Sequence, residues 1–114
     1  MSITIRDAAS AFLEEQDETV AQSAYDRIAA SLGEFLQYLD ATGVTEPSCL
    51  SVEHVEAFLT APSQTPEQRA DAWHSVKAFV GWLGRRRYAP TLTKEFASRQ
   101  NALRERMKTV SKTS

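Results

Sequence analysis

Apolar residues recur along this chain at intervals of three and four, and strict alternation is absent, so the pattern predicts helices and no strand. The first stripe is Ile5, Ala8, Ala9, Phe12 and Leu13, behind Thr4 as an N-cap with Asp7 three residues on. The polar run Glu14–Glu18 reads as a turn. Thr19, with Gln22 as its box partner, is the expected cap of a longer second helix. Its stripe is Ala21, Tyr25, Ile28, Leu32, Phe35, Leu36 and Leu39. Gly33 lies inside that helix, where glycine costs about 1 kcal/mol relative to Ala, and its position predicts close packing of a neighbour rather than a kink. Thr42-Gly43 ends the helix, and Val44–Leu50, with Pro47, reads as a loop.

Ser51 is the expected cap of a short third helix with Val52, Val55, Phe58 and Leu59 facing inward, and Ala61-Pro62-Ser63 breaks the chain again. The fourth helix carries the strongest signals. Thr65 caps it, Pro66 occupies the first helical position, and Gln68 completes a capping box. Trp73, Val76, Phe79, Val80 and Leu83 share one side. Gly84 is the expected C-terminal cap, followed by Arg85, Arg86 and Arg87 where positive charge suits the helix dipole, and Pro90 is the stop. Thr93 predicts a cap for a fifth helix from Lys94 to about Lys108, with a thin seam of Phe96, Leu103 and Met107 and a frayed tail over Thr109–Ser114. The expected fold is all-α, a small bundle of four core helices over residues 1–90 with a basic, linker-like fifth helix and tail over residues 91–114.

Charge changes this picture more than composition does. The net charge of −2 over 114 residues hides two opposed halves. Residues 1–68 hold Arg6 and Arg27 against twelve carboxylates, a balance of −10, whereas residues 69–114 hold eleven basic residues against Asp71, Glu95 and Glu105, a balance of +8. Such a distribution either presents an anion-seeking surface or neutralises itself within the fold. One cysteine, Cys49, excludes an internal disulfide and fits a reducing compartment. No stretch has the make-up of a signal peptide or membrane span, so the expected location is the cytoplasm.

The order of these signals resembles the N-terminal core-binding domain of the tyrosine recombinase, or phage integrase, family, which is a small SAM-like helical bundle. The likeness lies in TIRDAASAFLEEQ, in Thr19, Tyr25, Phe35-Leu36 and Gly43, and in LSVEHVEAFLTA. It continues in Thr65, Arg69, Trp73, Lys77, Phe79, Trp82-Leu83 and Tyr88. The resemblance implies that the second and fourth helices approach double-stranded DNA, beside a catalytic domain or other recombinase subunits. That family's catalytic set includes a His-x-x-Arg pair. Neither His54 nor His74 is followed by Arg at the third position, so the expectation is a module that binds without cutting.

A helical wheel places His74, Lys77, Ala78, Gly81 and Arg85 opposite the core side of the fourth helix, with Asp71 nearby. Small residues beside cations suit close approach to a phosphate backbone. The candidate DNA-binding residues are therefore Arg69, His74, Lys77, Arg85, Arg86 and Arg87. Trp82 is expected to be partly exposed as a packing residue. His54, His74 and Cys49 lack zinc-ligand spacing, and Tyr88 lacks a constellation that would make it a nucleophile, so neither metal, cofactor nor catalysis is expected. The competing reading is a protein–protein module that docks through the seam of the fifth helix or through the acidic half.

Overall fold

The computed structural model describes residues 3–61 and 64–113, with side chains up to Thr109. Five α-helices account for nearly all of it: α1 (Ile5–Thr19), α2 (Gln22–Thr42), α3 (Val52–Leu59), α4 (Pro66–Arg85) and α5 (Pro90–Thr113), with a 3₁₀ turn at Pro47–Cys49 before α3. Among the described residues there is no strand, and no helix is long and apolar enough to cross a membrane.

Three of the five expected N-caps form, Thr19 and Thr93 being the exceptions. Thr4 accepts the Asp7 N–H at 3.1 Å. Thr65 and Gln68 make a reciprocal box, with bonds of 3.1 and 2.9 Å. In α3 a histidine takes the usual Glu/Gln role: the Ser51 hydroxyl accepts from the His54 N–H, and His54 Nδ1 accepts the Ser51 N–H at 3.1 Å. His54 is thus engaged as a cap.

The α1–α2 connection differs from expectation. The acidic run Glu14–Glu18 stays helical, because Glu and Gln are good helix formers and Glu15 is anchored from across the bundle. Thr19 ends α1 rather than capping α2, its hydroxyl donating back to the Glu15 carbonyl at 3.1 Å. With that hydroxyl taken, α2 starts from Ala21 without a side-chain cap. Ala21 is exposed and Tyr25 only half-buried, so the core stripe of α2 begins at Ile28.

Helix ends follow backbone conformation. Gly43, at φ 84°, closes α2 with bonds from Gly43 N–H to Asp40 O at 3.2 Å and from Val44 N–H to Leu39 O at 2.9 Å. The end of α4 has the same double bond pattern one turn later than predicted. Arg87, not Gly84, takes the left-handed position at φ 62°, with Arg87 N–H to Gly84 O at 3.0 Å and Tyr88 N–H to Leu83 O at 2.9 Å. Gly84 lies within the helix and serves a different purpose: a Cβ there would sit 2.5 Å from Thr93 Oγ1, so its absence lets α5 approach. Gly33, expected to play that packing role, faces open space, with nothing within 4 Å of an added Cβ.

Pro90 starts α5 instead of stopping the chain, as the first-turn tolerance for proline allows. Thr93 is inside α5, where its hydroxyl bonds the carbonyls of Ala89 at 3.0 Å and Val80 at 3.2 Å. The helix persists to Thr113, through most of the predicted tail; Pro62-Ser63 and Ser114 lie outside the described residues.

One continuous core joins all five helices. Phe12 of α1 meets Phe79 and Trp82 of α4 at ring separations of 5.4 and 6.1 Å. Phe35 of α2 meets Phe58 of α3 at 5.0 Å. Leu92, Phe96, Leu103 and Met107 of α5 are buried in the same cluster. Residues 91–109 therefore do not hang off as a linker: they close the core over α3 and α4, and the seam that a partner would need is covered within the chain. Trp82, expected at the margin, is 3% exposed.

Candidate nucleic-acid interface

Helices α4 and α5 form an antiparallel hairpin, held near its closed end by Thr93 against Val80 and Gly84 and further along by Trp73 against Phe96, 5.7 Å apart. Two grooves lie along this hairpin. The first, about 450 Å³, carries His74, Lys77 and Arg85 of α4 and Gln100 of α5. Ala78, Gly81 and Ala97 line it with small side chains. Arg85 lies back along it, since a Cβ on Gly81 would stand 3.5 Å from its guanidinium. The second groove, about 440 Å³, is bounded by Trp73, His74, Arg104, Met107 and Lys108. His74 belongs to both, so the two grooves meet along the hairpin.

No carboxylate lines either groove among the described residues. Asp71, placed by the wheel on this side, instead borders a separate acidic depression with Asp26 and Glu34 of α2. The Trp73 ring holds two of the groove cations, with Lys77 Nζ and the Arg104 guanidinium carbon each 5.9 Å from its centroid. An aromatic quadrupole positions a cation without cancelling its charge, unlike a carboxylate. Lys77 and Arg85 are eight residues apart in the helix, about 12 Å along its axis, or three to four nucleotide steps of one DNA strand at about 3.4 Å each.

The six predicted residues divide. His74, Lys77 and Arg85 come together in the groove. Arg87 is exposed at the α4 exit. Arg86 is paired at the surface: it bonds Glu15 at 2.8 Å and lies over Trp82, 5.5 Å from the ring centroid. The indole N–H of Trp82 donates to the same Glu15 carboxylate, and these contacts, the indole bond foremost, hold that carboxyl below the ordinary glutamate range. Arg69 is corrected outright. It is 1% exposed, and its guanidinium donates to the carbonyls of Leu59 at 3.1 Å, Ala61 at 2.7 Å and Gln64 at 3.3 Å, clamping the C-terminal end of α3.

Gln100, Arg104 and Lys108, which are not among those six, line the same two grooves from α5. Their i, i+4, i+8 spacing puts them on one flank of α5, a signal visible in the chain once α5 is known to pair with α4. Arg99 and Arg106 lie on the other flank and face α3. Arg106 bonds Glu56 at 3.1 Å, and Arg99 sits 3.7 Å from both Glu53 and Glu56. The Glu53 carboxyl is lowered, first by its own backbone N–H at the start of α3, then by the Ser51 hydroxyl and Arg99. Among the described residues no group of three or more His, Cys, Asp or Glu side chains is arranged to hold a metal ion. Comparison of the chain with protein families, with characterised proteins and with solved structures finds no match.

Proposed function

We propose that this chain is a non-catalytic DNA-binding module that grips the duplex backbone along the α4–α5 hairpin. The proposed parallel is the SAM-like core-binding domain of tyrosine recombinases, with a catalytic domain or further recombinase subunits as partners. The observation that supports the reading is the row of cations Arg85, Lys77 and Arg104, with His74 between them and no carboxylate lining their grooves, on a fold that pairs Arg86, Arg99, Arg106 and Lys108 with glutamates at its surface. Backbone contacts from such a row confer affinity rather than sequence specificity.

Three phosphate contacts give a salt slope near −2.7 on logarithmic axes, so duplex affinity falls roughly 40-fold between 50 and 200 mM salt. Fluorescence anisotropy against a labelled duplex measures this directly. The double variant Lys77→Ala/Arg85→Ala flattens the slope by about two. Absence of binding at 50 mM salt, or binding indifferent to salt, rejects the reading.

A further inference from the structure

We propose that the cleft beside Tyr88 receives an unpaired nucleobase of the bound nucleic acid. The inference rests on the DNA-binding reading above and specifies the form of nucleic acid that binds best. Two unusual features stand side by side at the α4 exit. Tyr88, 37% exposed, is the large hydrophobic residue left uncovered among the described residues. Arg87 is the non-glycine residue held at positive φ among them. The bonds from Arg87 and Tyr88 N–H to Gly84 and Leu83 fix the backbone at this corner, so the ring is presented from a defined helix terminus. Trp82 supports it from within, 5.8 Å away and tilted by 40°.

Beyond the ring lies a cleft of about 320 Å³, closed by the 3₁₀ turn and the first turns of α5. Its other walls include Cys49, Thr91 and Glu95, with Ser48 and Ser51, whose hydroxyls are engaged by Glu46 and His54. One aromatic wall and a single carboxylate make a setting for a planar ring with donor groups on its edge, and Arg87, one residue before the ring and exposed, is the cation nearest in the chain for the attached phosphate. Stacking on an aromatic side chain is tolerant of base identity. The Glu95 carboxylate is not: it accepts from the exocyclic amino group of cytosine, whereas thymine has no such donor. A paired base cannot enter without leaving its stack, so an already unpaired base enters at lower cost.

The test uses the full chain and three labelled duplexes at 50 mM salt: fully paired, with one bulged cytosine, and with one bulged thymine. The expected order is bulged cytosine, then bulged thymine, then paired, with about ten-fold between first and last. Tyr88→Ala removes the bulge preference and leaves paired-duplex affinity unchanged, Tyr88→Phe retains the preference, and Glu95→Gln narrows the difference between cytosine and thymine. Equal affinity of the wild-type chain for all three duplexes, or a preference that survives Tyr88→Ala, overturns the proposal while duplex binding stands. Binding to the bulged duplexes alone supports the cleft and rejects the duplex grip. Binding to none rejects both.

Discussion

Replacing either of two glycines by alanine has opposite consequences here, and the contrast tests the α4–α5 contact. At Gly84 the new methyl would stand 2.5, 2.8 and 2.9 Å from Oγ1, Cγ2 and Cβ of Thr93. Rotation of Thr93 is no remedy. Its hydroxyl is bonded to Val80 and Ala89 carbonyls, and Cβ stays put in any rotamer. Relief requires the helices to part by about 0.5–1 Å, to restore carbon contacts near 3.5 Å. Overpacking of this kind costs about 1–3 kcal/mol, against about 1 kcal/mol gained from alanine's helix propensity. The net for Gly84→Ala is a loss of up to about 2 kcal/mol.

At Gly33 nothing lies within 4 Å of the added Cβ, so only the propensity gain of up to about 1 kcal/mol remains. Urea unfolding measures both. With a slope of about 2 kcal/mol per molar, the two midpoints separate by roughly 0.5–1.5 M, with wild type between them. A Gly84→Ala midpoint at or above wild type would refute the close approach, and with it the placement of α5 that builds the groove.

Three further outcomes follow from the site. Arg69→Met keeps the apolar stem but strands the Leu59, Ala61 and Gln64 carbonyls, and lowers stability by about 3 kcal/mol in the same unfolding assay; a loss under about 1 kcal/mol contradicts the clamp. Arg87→Gly relieves the left-handed backbone, raising the melting temperature by a few degrees for a gain of about 0.5–1 kcal/mol; an unchanged or lower melting temperature contradicts strain at that corner. Because Glu15 is depressed below 4.5, its contribution is complete above that value and is lost as pH falls through its folded pKa; Glu15→Gln therefore shows a smaller drop in melting temperature between pH 7 and pH 3 than wild type, and an equal drop counts against the Trp82–Glu15–Arg86 contact.

Helix existence was legible in the sequence because periodicity and caps are local. Thr4, Ser51 and Thr65 act on groups three residues away, and no distant contact is needed to read them. The errors arise where one residue type serves two purposes. Thr19 is an equally good N-cap and C-terminal back-bonder, and the choice falls to Glu15, whose partners Trp82 and Arg86 are far along the chain. Glycine signals conformational freedom or close packing with the same letter. Gly84 looked like a cap and is a contact; Gly33 looked like a contact and is neither. Arg87 defied the rule altogether, because a bonded corner can hold an arginine at φ 62° where glycine would be unstrained.

The charge asymmetry was visible at once, yet it left open whether the two halves attract each other or one of them awaits an anion. The fold pairs some of the cations across the two halves and leaves others beside grooves that no carboxylate lines, and α5 is where the division is made. Arg99 and Arg106, seven residues apart, face Glu53 and Glu56 of α3, tying the helix to the acidic half. Gln100, Arg104 and Lys108, four apart, face α4 and add to Lys77 and Arg85. A shift of one residue separates a tether from a groove-facing side chain, so no count of charges distinguishes them, whereas pairing with known neighbours does. On the proposed DNA-binding reading the acidic half has a part too. It holds α5 in place on one side, and Asp26, Glu34 and Asp71, which share their depression with Arg27, would turn a polyanion away from the face they border.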